Sequence, residues 1–287
     1  MELRENMVSS ISPDYAKYTS MIPRFQEFAR NSTDKFKNRK LFTEKVINSD
    51  CGSKALVLYS QTGRRTKVIS IERCHNRFCP LCSFIEQKKD TQRVEYIMQQ
   101  ASQVEDSALL AFTLSYPNCS GAQLNDEIKL LNSSYNKFYK QLEREGYMLG
   151  SFRKLEVTYN DDTNTFNPHL HVLFHIRKSL YFGTEYYKEA DVWRQIWSRC
   201  SNREDIKNFY VRCFDPSRDT LSASFIKEYS FYSVKPSEMM HSQEVFDYMV
   251  SALKSKQVYT LGGSLLEFGL YFDDNKDTIR KSRAFAE

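Results

Sequence analysis

Residues 150–176 read GSFRKLEVTYNDDTNTFNPHLHVLFHI, and the reading of this stretch decides the fold. Two strand-like segments, 150–160 and 168–176, flank the turn-rich run Asp161, Asp162, Thr163, Asn164, Thr165, which predicts a β-hairpin. Alternate side chains of a strand share a face. Leu170, Val172 and Phe174 therefore point into the core, while His169 and His171 project together from the other side. Two imidazoles on one rigid strand make a bidentate metal platform. Centring the hairpin on Thr163 and Asn164 sets Glu156 opposite His171. Its alternation with Leu155 and Val157 brings its carboxylate out on the histidine face, so Glu156 is the candidate third ligand. Two imidazoles and a carboxylate suit Mn²⁺, Mg²⁺ or a transition ion and leave positions open for substrate oxygens. His175 shares this face but lies far along the strand. A histidine-triad nucleotide hydrolase would carry a third histidine at position 173, where this chain has Leu173. A lone His-x-His pair in a strand is more often structural than ligating; its surroundings make this one a candidate.

Working outward, Ser107 to Tyr116 reads as a strand stopped by Pro117 and Asn118. An amphipathic helix is expected over 122–146, burying Ile128, Leu131, Tyr135, Phe138, Tyr139 and Leu142. Another helix is expected over 84–101, and a hairpin over 54–72 around Thr62, Gly63, Arg64 and Arg65. Downstream follow a helix at 189–199 with Trp193 and Trp197, a strand at 207–213, helices at 222–233 and 243–256, and a turn at Gly262 and Gly263. Residues 1–45 are polar and mixed in charge, and read as a poorly packed arm with short helices. The resulting class is α+β: an α/β sandwich with a central, largely antiparallel sheet flanked by helices. Three stretches are expected: the arm (1–45), a Cys-rich zinc module with its helix (46–105), and the domain carrying the histidines (106–287).

Lysine and arginine exceed aspartate and glutamate by 41 to 36, a balance that permits a polyanionic partner without requiring one. The chain has no apolar run long enough to span a bilayer, and its N-terminus lacks the apolar stretch of a secretory signal. A cytoplasmic location without membrane attachment is the expectation. In a reducing compartment, clustered cysteines are better read as metal ligands than as disulfides. Cys74, Cys79 and Cys82 form such a cluster, with a Cys-x₂-Cys knuckle, and Cys51 is available as a fourth thiolate for structural zinc. His75 could replace one cysteine, and free thiols are the plain alternative. Lys88, Lys89 and Arg93 on the following helix offer a DNA-facing side, although a solvated helix face accounts for them equally well. Cys119, Cys200 and Cys213 are scattered and receive no chemistry.

Glu228-Tyr229-Ser230-Phe231-Tyr232-Ser233-Val234-Lys235 adds a candidate nucleophile. On a helix, Glu228 and Tyr232 would sit one turn apart on one face, with Lys235 three residues on. A phenol near pKa 10 needs help to act at neutral pH, which a metal-polarised phosphate or a nearby lysine supplies. Alone, the segment is an ordinary aromatic helix.

In order along the chain, RFCPLCS (77–83), FTLSYPN (112–118), NPHLHVLF (167–174) and the Glu-x₃-Tyr segment followed by Val234-Lys235 resemble the rolling-circle replication initiators of small Gram-positive plasmids. These belong to the HUH endonuclease superfamily, and the resemblance spans roughly residues 50–270. It implies that His169 and His171 bind the catalytic metal and that Tyr232 nicks one DNA strand, remaining as a 5′-phosphotyrosine. It further implies that Glu228 activates the water that ends the cycle, and that Phe112 to Asn118 forms a structural or DNA-contacting central strand. Glu156 is less firmly implied, because the third ligand varies within the superfamily. The implied partners are origin DNA, single-stranded or extruded as a hairpin, and a host helicase and polymerase. This chain departs from the family: Ser233 follows Tyr232, Pro236 ends or kinks the helix, and Tyr229 is a second candidate nucleophile only three residues away. An HUH-type transposase and a non-catalytic zinc-containing nucleic-acid binder are the competing readings. A conjugative relaxase would place its tyrosine ahead of the histidines.

Overall fold

The computed structural model describes residues 1–35, 40–63, 65–206, 209–230 and 233–284. In chain order the elements are β1 (Glu2–Met7), α1 (Pro13–Ser20), α2 (Ile22–Lys35), α3 (Glu44–Ile47), β2 (Lys54–Tyr59), β3 (Arg65–Ile71), α4 (Pro80–Gln103), β4 (Ser107–Ser115) and α5 (Leu124–Arg144). There follow β5 (Met148–Asn160), β6 (Thr165–Arg177), α6 (Lys178–Tyr181), α7 (Ala190–Ser201), β7 (Tyr210–Phe214), α8 (Ala223–Tyr229), α9 (Pro236–Met239), α10 (Gln243–Leu253), β8 (Tyr259–Gly263) and α11 (Ser264–Ala284). They divide into two compact units, Met1–Lys88 with Val234–Lys254, and Lys89–Ser233 with Ser255–Glu287.

The second unit is built on a five-stranded antiparallel sheet in the order β7-β4-β6-β5-β8, the α+β arrangement expected from the sequence. One face of β6 carries Leu170, Val172 and Phe174 into a fully buried aromatic cluster. There Phe112 meets Phe138 of α5 and Trp193 of α7 edge-on, with centroids 5.3 and 5.1 Å away. The buried positions of α5, Ile128, Leu131, Tyr135, Phe138 and Leu142, follow the i, i+3, i+4 spacing read from the sequence. Trp197 is buried as well, and its indole N–H donates to the Ser115 carbonyl at 3.3 Å, which satisfies its polar edge. On the opposite face, Leu109, Ala111, Phe152 and Leu173 are covered by Val94, Ile97 and Met98 of α4, Phe225, Ile226 and Tyr229 of α8, and Leu265 of α11. This second core stops at Leu173, and the histidine pair begins two residues earlier on the same face.

The β5–β6 hairpin closes at Asn160 and Thr165, so its centre falls between Asp162 and Thr163. Glu156 therefore faces His169, and Lys154 faces His171, a shift of two residues from the register expected around Thr163 and Asn164. The turn chemistry explains the shift. Asn160 Oδ1 accepts from the Thr163 N–H at 3.2 Å, and Asn164 takes the left-handed conformation at φ 49°. A one-residue slip would have turned Glu156 away; a two-residue slip leaves it on the histidine face.

Gly262 and Gly263, expected as a turn, instead end strand β8 and pair with Ser151 and Gly150 of β5. Gly263 has φ 55°, and a Cβ there would lie 2.3 Å from the Leu149 carbonyl oxygen, so this approach requires glycine. The helix expected over 222–233 ends at Tyr229, with Ser230 already extended.

In the first unit, β1, β2 and β3 form an antiparallel sheet, and residues 1–45 are more than a loose arm. Ile22, Phe25, Phe28 and Ala29 form a buried stripe on α2, and Phe25, Phe28 and Phe42 surround Phe246 of α10 at 5.7–6.2 Å. That partner is remote in sequence, which hid the stripe. Among the described residues no helix is long and apolar enough to cross a membrane.

Candidate functional site

Among the described residues two groups of side chains could hold a metal ion, one in each unit. In the first unit, Cys51, Cys74, Cys79 and Cys82 bring their sulfurs together, with Cys51 to Cys79, Cys51 to Cys82 and Cys74 to Cys82 each at 3.7 Å. The knuckle is local. Asn76 Oδ1 accepts from the Phe78 N–H, its amide donates to the Leu41 carbonyl, and Pro80 opens α4 so that Cys82 sits in the first turn. Positive partial charge at that helix end favours a thiolate. Cys51 reaches the knuckle because Gly52, at φ 78°, lets the chain lie against Ile22 and Leu81, where a Cβ would come within 2.9 Å of either. Hydrogen bonds from Cys51, Cys79 and Cys82 push the Cys74 thiol down, whereas the bonds with Cys51, Cys74 and Cys82 push Cys79 up. Cys82 is lowered as well, through Cys51, and Cys51 is raised, so the four sulfurs share their protons unequally. His75 is not among these ligands; its left-handed backbone, φ 58°, leaves it exposed.

In the second unit, Glu156, His169 and His171 converge. Glu156 Oε2 lies 3.2 Å from His171 Nε2 and 3.9 Å from His169 Nε2. The other nitrogen of each ring has an oxygen beside it. His169 Nδ1 lies 3.1 Å from the Asn167 carbonyl, and His171 Nδ1 lies 3.3 Å from Glu228 Oε1. A carbonyl can only accept, so His169 carries its proton on Nδ1 and turns the Nε2 lone pair toward Glu156. The Glu228 carboxylate favours the same tautomer for His171, the usual arrangement behind a metal-ligating imidazole.

Burial, followed by the neighbouring His171, pushes His169 down to about 4, so it is neutral at physiological pH. Burial opposes the charge on His171, but hydrogen bonds to Glu156 and Glu228 outweigh it and raise its pKa. Burial likewise opposes ionisation of Glu156, yet the His171 hydrogen bond and the Lys154 charge hold its carboxyl well below the usual carboxylate range. The His171 contact lowers Glu228 too.

Lys154 was not singled out from the sequence. It is 3% exposed, and its ammonium donates to Glu156 Oε2 at 2.8 Å and to the Glu228 carbonyl at 3.0 Å. The second bond caps the C-terminal end of α8, where a cation is favoured. A lysine alternating with Phe152 and Glu156 on the inward face of a strand was the available signal. Beyond α8, the Ser233 carbonyl accepts from the Val157 N–H at 2.8 Å, so β5 holds the chain on both sides of Glu156. Tyr232 lies outside the described residues. The single helix expected to carry both Glu228 and Tyr232 is corrected, since α8 ends between them. Tyr229 is 1% exposed, packed against Phe152 and Phe225; burial and the nearby Glu228 charge push its phenol well above the ordinary value.

Arg93 does not face outward either. It forms a bidentate pair with Asp273 of α11 at 2.8–3.1 Å. His175, on the histidine face, is buried, with its Nδ1 2.7 Å from Ser264 Oγ. From Ser115, which opposes His169, a cleft of about 310 Å³ opens, bordered by Tyr116, Pro117, Asn118, Asn167, Asp205 and Ile206. There the Asn167 amide donates to Asn118 Oδ1 at 2.8 Å, joining the end of β4 to the start of the histidine strand.

A sequence profile described as Replication protein matches residues 65–284, which include Cys74, Cys79 and Cys82 and the whole histidine site. The chain belongs to the replication protein family. This agrees with the replication initiators that its ordered motifs resemble. A Staphylococcus aureus relative named Protein rep is 30% identical over 197 residues, covering 68% of this chain and 84% of the relative. Relatives of the same name from Bacillus amyloliquefaciens and Streptococcus pneumoniae serotype 2 are 26% and 24% identical, covering 72% and 68% of this chain. The matched regions span only 66% and 61% of those two proteins. No solved structure matches the chain.

Proposed function

We propose that this replication protein initiates rolling-circle replication of a small plasmid in the cytoplasm, nicking one strand of origin DNA with Tyr232 and remaining joined to the new 5′ end. The observation that carries this reading is the convergence of Glu156, His169 and His171, both Nε2 atoms turned toward one carboxylate oxygen, in a chain of the replication protein family. The donor set fits a divalent cation. Each Nδ1 has an acceptor beside it, each Nε2 has a lone pair to give, and the Glu156 carboxyl stays ionised. Mn²⁺ or Mg²⁺ held by these three residues would polarise the scissile phosphate and offset the negative charge that builds there. The four cysteines form a closed thiolate set of the kind that holds structural zinc.

The Tyr232 oxygen attacks phosphorus and its proton leaves to water. The bond to the 3′ oxygen breaks, and that oxygen takes a proton to become a 3′-hydroxyl. The ester formed on tyrosine conserves the phosphodiester bond for later rejoining. The freed hydroxyl primes a host polymerase, with a host helicase opening the duplex. Anchoring of Ser233, the residue after Tyr232 in sequence, beside Glu156 supports a nucleophile delivered to this site. Glu228, ionised and about one-third exposed, is suited to take a proton from water when the strand is released. The same carboxylate orients His171, so it serves the metal platform as well.

The test is incubation of the full chain with supercoiled plasmid carrying its gene and flanking DNA, with Mn²⁺, with Mg²⁺ and with chelator. Open circles dependent on either metal are expected. Binding without cleavage in every arm would contradict the reading.

A further inference from the structure

One row of paired residues crosses all five strands of the second unit's sheet. Tyr259 on β8 opposes Lys154 on β5, Lys154 opposes His171 on β6, His171 opposes Thr113 on β4, and Thr113 opposes Tyr210 on β7. Residues directly opposed in antiparallel strands send their side chains to the same face. All five therefore share the face that bears His169 and Glu156.

The row changes character along its length. Tyr259 lies against the core, and Lys154 and His171 are buried. Beyond them the face opens. Thr113 is the one residue of β4 that is not buried, and Tyr210, on an edge strand, is 47% exposed. Arg212 follows on the same face, opposite Ala111, with its side chain about half exposed and a guanidinium nitrogen 3.9 Å from Asp219 Oδ1. Strand spacing sets Tyr210 about 10 Å from His171, two strands away. A strand accommodates tyrosine on propensity alone. Propensity does not account for the only open stretch of the row running from the metal platform to an exposed aromatic ring and a cation.

We propose that Tyr210 is a stacking platform for a base of single-stranded DNA lying beside the metal platform, with Arg212 placed for a neighbouring phosphate. This rests on the reading above in one respect, that DNA occupies the face carrying His169 and His171. An aromatic ring accepts any base, because every base has a π-face, while an arginine adds a salt-dependent phosphate contact. Buried Tyr229 cannot take this part.

The experiment measures fluorescence anisotropy of labelled oligo(dT), and of an abasic strand of equal length, bound by the full chain without added Mn²⁺ or Mg²⁺. No cleavage is needed, so a chain that never nicks still answers. Tyr210→Ala and Tyr210→Leu are each expected to weaken oligo(dT) binding roughly 5- to 100-fold. Their binding to the abasic strand should stay within about twofold of wild type, and Tyr210→Phe should restore oligo(dT) affinity. The leucine variant keeps bulk on the edge strand, so the comparison stands even if alanine destabilises β7. Wild-type affinity for oligo(dT) in both variants would overturn the proposal. So would an equal loss on the abasic strand, or a wild-type chain that does not distinguish the two strands.

Discussion

The two candidate metal groups are assembled by opposite means, and the contrast separates what holds this protein together from what it does. The cysteine group is local and closed. Three of its ligands lie within nine residues, the knuckle is set by Asn76 and Pro80, and four soft ligands leave no position for a substrate. The Glu156, His169 and His171 group is spread over two strands and has only three ligands. It lies where a hydrophobic core gives way to an open face, and its carboxylate is held in place by Lys154. Four saturating thiolates suit a staple; two imidazoles and a carboxylate on rigid strands suit a site that must admit a phosphate.

If this contrast holds, breaking the closed group damages the fold and breaking the open group damages only chemistry. Cys79→Ser is expected to have the largest effect, releasing the metal and costing roughly 5 kcal/mol or more, read as early loss of the first unit in thermal melting with metal analysis. Retention of the wild-type melt would move the cysteines out of the structural class. His171→Ala should leave the melt nearly unchanged while slowing nicking about 10²- to 10³-fold, since a charge-stabilising ligand is lost. A large fall in stability with little change in rate would reverse the comparison.

His175 sharpens it from inside the same strand. Burial pushes this histidine down to about 4, against 6.5 unfolded, so it folds neutral. The unfolded chain takes up its proton first as pH falls. Stability is therefore full above about 6.5 and lost progressively toward 4, by about 3 kcal/mol in all. Denaturant titrations across that range should show this acid limb shrinking in His175→Gln. An unchanged limb would assign it to other groups. Glu228→Ala should have the smallest effect. A roughly 10- to 100-fold weaker metal affinity is expected from the loss of the group behind His171, with slower release of joined DNA at saturating Mn²⁺. Unaltered metal dependence would leave Glu228 only its role in release.

Much of this was legible in the sequence because it is periodic. The alternation through His169, His171 and Phe174 fixed which face the ligands share, and that survived a register error because the error was even. The spacing of Ile128, Leu131, Tyr135 and Phe138 marked α5. What escaped depends on partners distant in the chain. The stripe of Ile22, Phe25 and Ala29 has meaning only against Phe246, and Gly262 and Gly263 resemble a turn until β5 lies alongside them. Lys154 read as one charge among many, since its two bonds reach across a strand face to Glu156 and to the end of α8. The end of α8 was missed for the same reason.

The central claim is that Tyr232 attacks DNA at the Glu156, His169 and His171 platform. Its most direct test is to trap the protein on origin DNA with Mn²⁺, digest the adduct and map the modified residue by mass spectrometry, in wild type and in Tyr232→Phe. The account predicts a 5′-phosphotyrosine on Tyr232 and no adduct in the variant. An adduct that persists in Tyr232→Phe, or one mapped to a residue other than Tyr232, would contradict it.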